Sequence, residues 1–197
     1  QGDGGTVLSD VFAVASNEVW AVGELGTVVR WNGSAFTQMP APTAKNVNAV
    51  WAAGPNDVWV AGPGLLARWN GSGWVTAPGF IGGVVTDLWG TSASDIWAVG
   101  GSGLTIDGQT FVVRNAPDFV WHYDGTSWTR SSSGVTALRK IWASGTGVWA
   151  AGFGGDLRSF DGSTWTTRTP AAAPISSLTS AGGTLWMVSG GQIVRGN

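Results

Sequence analysis

Cysteine is absent from the 197-residue chain, histidine occurs once, at His122, and charged side chains make up only 11% of it. Without thiols there is no disulfide framework, no zinc–thiolate site and no cysteine nucleophile. A single histidine leaves little material for acid–base or metal chemistry. Neither a cofactor nor a metal is expected. The ten basic and twelve acidic residues are scattered and give a formal charge of −2. That is no electrostatic footprint for nucleic acid or an anionic membrane. No apolar run approaches the roughly 20 residues of a membrane-spanning helix, so membrane insertion is not expected. Soluble domains are normally about 25% charged. Here Ser, Thr, Asn and Gly must cover much of the surface. The chain starts at Gln1 with neither an initiator Met nor a signal peptide, which fits processing. Low charge and richness in Trp, Gly and Thr lead us to expect a secreted or periplasmic protein.

What is abundant is tryptophan and glycine, 14 and 32 residues, and they fall in a repeat. The strings Val19-Trp20-Ala21-Val22-Gly23, Val58-Trp59-Val60-Ala61-Gly62, Ile96-Trp97-Ala98-Val99-Gly100 and Val148-Trp149-Ala150-Ala151-Gly152 match. A weaker fifth copy is Leu185-Trp186-Met187-Val188-Ser189. The Trp-to-Trp steps are 39, 38, 52 and 37 residues, so the period is near 38 with a 14-residue excess in the third unit. Each unit opens with a short apolar run ending in a large residue: Val11-Phe12, Val50-Trp51, Leu88-Trp89, Ile141-Trp142. The Trp strand follows a turn: Ser16-Asn17-Glu18, Gly54-Pro55-Asn56-Asp57 or Ser92-Ala93-Ser94-Asp95. A third strand ends in Trp31, Trp69, Tyr123 or Phe160. Then comes Asn32-Gly33, Asn70-Gly71, Asp124-Gly125 or Asp161-Gly162, read as type I′ hairpin turns. A fourth strand carries Phe36, Trp74, Trp128 or Trp165.

Four short strands in about 40 residues, repeated around an axis, describe a β-propeller. The prediction is an all-β, single-domain, five-bladed β-propeller with no helix of two turns or more. Its repeats are 8–45, 46–83, 84–134, 135–173 and 174–197, and the last blade is incomplete. The fifth unit ends after its third strand, at Ile193-Val194-Arg195. Gly5-Thr6-Val7 is the segment expected to pair there and close the ring. Otherwise the free edge of the fifth blade is an oligomer contact, or the chain is part of a larger propeller.

These motifs resemble Trp-rich bacterial β-propeller repeat proteins, often secreted. Ser159-Phe160-Asp161-Gly162-Ser163-Thr164-Trp165 is similar to a shortened Asp-box, the structural hairpin of neuraminidase-type repeats. The Val-Gly…Gly-Thr-Val…Trp order resembles repeats of the photosystem II stability and assembly factor. The resemblance spans Leu8 to Asn197. It implies the fold and no hydrolase activity, because the Asp-box lies far from the catalytic centre in that family.

Thirteen of the fourteen tryptophans sit at aligned positions, where blade-to-blade packing needs large aromatics. Trp121 is the exception, aligned with Val29, Ala67, Arg158 and Val194. It follows the enlarged segment between Ser102 and Phe119, whose polar residues include Asp107, Arg114, Asn115 and Asp118, and His122 comes directly after it. A loop enlarged in one blade only is a functional hint, though an extra structural hairpin is an equal alternative. The candidate ligand site is therefore Trp121, His122, Arg114, Asp118 and Asp107. Arg30, Arg68 and Arg195 align with His122 and read as solvated third-strand residues. Asp10 and Asp87 align on first strands and could act as a carboxylate pair, except that Lys140 would pair with one of them. The leading reading is a non-enzymatic, carbohydrate-recognising propeller with a glycan partner. The alternatives are a protein-interaction or assembly scaffold, itself able to associate, and a glycosidase-like enzyme.

Overall fold

The structure, a computed structural model, describes residues 6–80, 82–102, 104–107, 110–113, 118–131, 137–145, 147–168, 171 and 173–196. Among these the only helical element is one 3-10 turn, Glu24–Gly26. The first blade is β1 (Leu8–Ala15), β2 (Glu18–Gly23), β3 (Val28–Trp31) and β4 (Phe36–Gln38). The second is β5 (Ala49–Gly54), β6 (Asp57–Gly62), β7 (Leu65–Trp69) and β8 (Trp74–Thr76). The third is β9 (Val84–Ser92), β10 (Asp95–Gly101), β13 (Asp118–Tyr123) and β14 (Trp128–Ser131), and a separate hairpin of β11 (Leu104–Asp107) and β12 (Thr110–Val113) rises between β10 and β13. The fourth is β15 (Leu138–Ser144), β16 (Gly147–Gly152), β17 (Leu157–Phe160) and β18 (Trp165–Arg168). The fifth is β19 (Ile175–Ala181), β20 (Thr184–Ser189) and β21 (Gln192–Arg195). All neighbours within a blade run antiparallel. The chain is thus a five-bladed β-propeller of four-stranded repeats whose last blade has three strands.

The Asn-Gly and Asp-Gly turns differ from the expected type I′ form. Trp31 pairs with Phe36 and Phe160 with Trp165, so four residues lie in each loop. Gly33 and Gly162 have φ of 93° and 99°, whereas Leu25 is the only described non-glycine residue at positive φ. A type I′ turn needs two such residues in succession. Here the side chain closes the loop instead. Asn32 Oδ1 accepts from Ser34 N and Ala35 N at 3.0 and 2.9 Å, and Asp161 Oδ1 accepts from Ser163 N and Thr164 N at 2.9 and 2.8 Å.

Side chains alternate across each strand, so every blade has two apolar faces. The back face of the first blade (Trp20, Val22, Val28) packs on the front face of the second (Val47, Val50, Val58, Val60, Ala67). The same contact joins the second blade to the third through Trp59, Ala61 and Leu66 against Val85, Leu88, Ile96 and Ala98. Trp97, Val99 and Val120 meet Leu138, Ile141, Val148 and Ala150 at the next interface. Ala151 and Leu157 meet Ile175, Leu178, Leu185 and Met187 at the last. Fully burying one such aliphatic side chain stabilises by about 1.5–3 kcal/mol.

Five blades in a closed ring would make five interfaces. Among the described residues the hydrophobic clusters make four, and none joins the fifth blade to the first. Among the described residues the expected closing strand does not form. Gly5 lies outside the described residues, and Val7 O instead accepts from Glu24 N at 3.0 Å, within the first blade. The pairing of Val7 beside β2 follows from the antiparallel register of Leu8 with Gly23, which carries the preceding residue along the same edge. Strand β21 pairs with β20 alone in the described structure.

Position within the arc should therefore decide the cost of truncation. Leu66 is 2% exposed and its repeat equivalent Ile193 is 78% exposed. Leu66→Ala is expected to cost about 2–4 kcal/mol and Ile193→Ala less than about 0.5 kcal/mol. Urea denaturation in dilute protein checks this, and equal losses would contradict it.

Candidate functional site

The back faces of the first three blades carry a recurring stack around the second-strand tryptophan. In the first blade Trp20 Nε1 donates to Glu18 Oε1 at 2.6 Å, and Arg30 grips the same carboxylate through Nε and Nη2, both at 2.8 Å. The guanidinium carbon lies 5.4 Å from the Trp20 ring centroid. In the second, Arg68 Nε donates to Asp57 Oδ1 at 2.6 Å and lies 5.8 Å from Trp59. That bond, outweighing partial burial, raises the Arg68 pKa. In the third, Asp95 Oδ1 takes Trp97 Nε1 at 2.9 Å and His122 Nε2 at 2.8 Å, and the imidazole stacks on Trp97 with centroids 4.0 Å apart. Burial works against the Asp95 carboxylate, but bonds from Thr91, His122 and Trp97 lower its pKa overall. The aligned Arg30, Arg68 and His122 are thus struts over tryptophan, each held by a carboxylate, not simply solvated residues. Strand register causes this, since Trp20 faces Arg30, Trp59 faces Arg68 and Trp97 faces His122. In the fifth blade Trp186 faces Arg195, with Thr184 where the acid would stand.

The residues expected to form one ligand site are separated. Trp121 is 6% exposed. It sits on the front face of the third blade, in the interface with the second, with its ring 5.7 Å from Phe80. His122 follows it on the strand and so points to the opposite face. Asp118 is buried at the other end of β13, paired in register with Gly101. Asp107 ends β11 in the hairpin, opposite Thr110. Arg114 lies outside the described residues. Alternation along β13 therefore prevents Trp121 and His122 from sharing a ligand. His122 instead lines a crevice of about 730 Å³ between the third and fourth blades, with Asp95, Trp97, Thr129, Ser131 and Phe160.

A second concavity lies where the first strands converge. This cleft of about 140 Å³ is lined by Asp10, Phe12, Val50, Asp87, Trp89, Lys140, Trp142 and Ser177, among others, so every blade contributes, and the first, third and fourth supply its charged and aromatic wall. Phe12 sits 6.2 Å from Trp89, and Trp89 lies 4.0 Å from Trp142. Both indoles are fixed by the next blade: Trp89 Nε1 donates to Ala143 O at 2.8 Å and Trp142 Nε1 to Ser180 Oγ at 3.1 Å. The carboxylates tie blades together in the same way. Asp10 Oδ2 accepts from Val50 N and Asp87 Oδ2 from Ile141 N, each at 2.9 Å. Lys140 Nζ reaches Asp87 Oδ1 at 3.3 Å, one of the two pairings that the sequence left open. Burial pushes Asp87 up to about 6 against the opposing pull of Lys140, and burial raises Asp10 likewise.

Two features escaped the sequence reading. Glu18, Asp57 and Asp95 were assigned to turns, yet each opens its second strand and partners the blade's arginine or histidine. Their common place two residues before a tryptophan was the available signal. The half-exposed faces of Phe12, Trp89 and Trp142 were also missed, because alignment alone equates them with the buried Trp51.

No family model matches the chain, and no curated protein matches it. Among solved structures it is similar to YCF48 bound to D1 peptide, with 16% identity and a TM-score of 0.68, over 98% of this chain and 63% of that one. It is also similar to the computationally designed Ika8 protein, with 14% identity and a TM-score of 0.70, over 96% of this chain and 57% of that one. The chain thus spans about three-fifths of the length of these structures. At such identity the likeness shows the fold, a β-propeller, which is what the resemblance to the assembly-factor repeats implied.

The raised Asp87 pKa fixes a pH dependence. Between about pH 4 and 6 the folded chain holds a proton that the unfolded chain has released, so stability falls as pH rises through this window and levels off above it. Asp10 acts in the same sense. Asp87→Asn is expected to flatten the decline in melting temperature between pH 4 and 6.5. An unchanged slope in the variant would contradict the assignment.

Proposed function

We propose that the chain is a non-enzymatic protein-binding scaffold whose axial cleft takes an extended segment of a partner. The observation that carries this reading is the lining of the cleft. Partly exposed Phe12, Trp89 and Trp142 adjoin Asp10, Lys140 and the exposed Ser177 on rigid first strands. Apolar walls with a few fixed polar groups suit a peptide, which offers both side chains and main-chain hydrogen bonds. The similar propeller solved with a bound peptide supports the same reading.

The carbohydrate alternative rested on Trp121 as a stacking platform, and that ring is buried between blades. Trp97, the nearest other aromatic to His122, has its face covered by the imidazole. As for catalysis, Asp10 and Asp87 each accept a main-chain N–H from the next blade, which suits tie points more than an acid–base pair. On composition alone the proposal keeps a secreted or periplasmic site of action.

A peptide array run beside a glycan array tests this. Peptide ligands are expected, and Ser177→Trp, which fills the cleft from an exposed position, should weaken them at least tenfold with little change in melting temperature. Glycan hits alone, or peptide binding indifferent to Ser177→Trp, would overturn the proposal.

A further inference from the structure

At the first three interfaces a second-strand tryptophan meets the fourth-strand tryptophan of the next blade. Once buried, an indole N–H needs an acceptor. Between the first and second blades both donors have one. Trp20 Nε1 donates to Glu18 Oε1 at 2.6 Å, and Trp74 Nε1 donates to Pro40 O at 2.8 Å. Between the second and third blades the equivalent groups belong to Trp59 and Trp128, which are 3% and 9% exposed. Among the described residues neither indole nitrogen has a partner. Asp57 stands where Glu18 does, but its described bond is to Arg68. Pro78 stands where Pro40 does and accepts nothing from Trp128.

These two indoles wall the same pocket, of about 350 Å³. They meet edge to face with centroids 5.2 Å apart, and Tyr123 packs on both, at 5.2 and 5.3 Å. Val75, Ala77 and Pro78 form an apolar side, and Arg68 and Asn70 add polar groups. The described hydrogen bond of the Arg68 guanidinium uses Nε alone, leaving its other N–H groups as donors. Asn70 commits its side-chain oxygen to Ser72 N and Gly73 N, each at 3.0 Å, so what it offers a ligand is its NH₂. The described lining is thus rich in donors, carries a guanidinium and includes no carboxylate.

We infer that this pocket binds a small carboxylic acid with an apolar body. The carboxylate accepts from the Trp59 and Trp128 N–H groups and faces Arg68, and the body lies against Val75, Ala77 and Pro78. A buried donor without an acceptor carries its full desolvation cost until an acceptor arrives. Two such donors beside a guanidinium match a carboxylate, which offers two acceptor oxygens and a negative charge. Water satisfies an N–H as well, but it gains nothing from the apolar side. Both walls belong to blades that are stacked on each side, and the pocket is separate from the axial cleft, so the inference stands apart from the peptide reading.

Proton–nitrogen correlation spectra of the assigned indole N–H groups test this on the whole chain. Benzoate, phenylacetate and hexanoate are titrated, each beside its primary amide. At least one acid should shift the Trp59 and Trp128 resonances saturably and bind at least tenfold more tightly than its amide. Trp69, whose indole N–H is likewise buried and unpartnered but lies outside the pocket wall, should stay in place. Trp59→Phe, which keeps a ring and deletes the N–H, and Arg68→Gln should each weaken binding at least tenfold, and Trp69→Phe should not. Thr76→Trp, which fills the pocket from an exposed position, should abolish binding, and it decides the matter if either of the first two variants fails to fold by circular dichroism. No saturable shift with any acid would mean that the pocket takes water only and would overturn the inference. Amides that bind as tightly as the acids, or binding indifferent to Thr76→Trp, would overturn it too.

Discussion

A sheet with two apolar faces cannot stand alone in water, and the rest of this structure follows from that constraint. Each blade here is such a sheet. Its back face is built around one tryptophan and its front face around aliphatic residues with the third- and fourth-strand aromatics, so successive blades must stack. The polar groups serve the stacking. In the first and third blades the acid that accepts the indole N–H also fixes an arginine or histidine over the ring, which pins the side chain in the orientation the next blade requires. On the axis, Asp10 and Asp87 reach across to the main chain of the neighbouring first strand. Interface and cleft are therefore two views of one packing problem. The inner ends of the blades cannot all bury their aromatics, and what remains half-exposed lines the axis.

Much of the fold was legible because the repeat is written in large residues and turns. Trp20, Trp59, Trp97, Trp149 and Trp186 fall in equivalent second strands, as their spacing required. The third-strand aromatics and the Asn/Asp-Gly turns fall where the period places them. Closure was not legible. A period of about 38 residues sets the blade but not the angle between blades, which depends on how side chains interdigitate across each face. Thr6 and Val7 were free in sequence terms to pair at either end, and the register of β1 with β2 takes Val7 to Glu24.

The candidate site was less legible than the fold. Trp121 stood out because it broke the repeat, and the break proved to be a packing event: a larger ring answers Phe80, which the loop after the second blade brings over it. An irregular aromatic can mark a ligand or a local cavity, and only the partner decides. Lys140 was expected to pair with either Asp10 or Asp87, and it meets Asp87 because adjacent first strands bring aligned positions together on the axis. The half-exposure of Trp89 and Trp142 was hidden, since their buried counterpart Trp51 has the same sequence setting.

Among the described residues five blades make four interfaces and leave the outermost two faces open. Hydrogen exchange on the chain at a concentration where it is monomeric tests this most directly. The account predicts that second- and third-strand amides of the middle three blades exchange only by global unfolding, while those of β20 and β21 exchange faster through local opening. Uniform protection across all five blades would contradict it, because that is the signature of a closed ring.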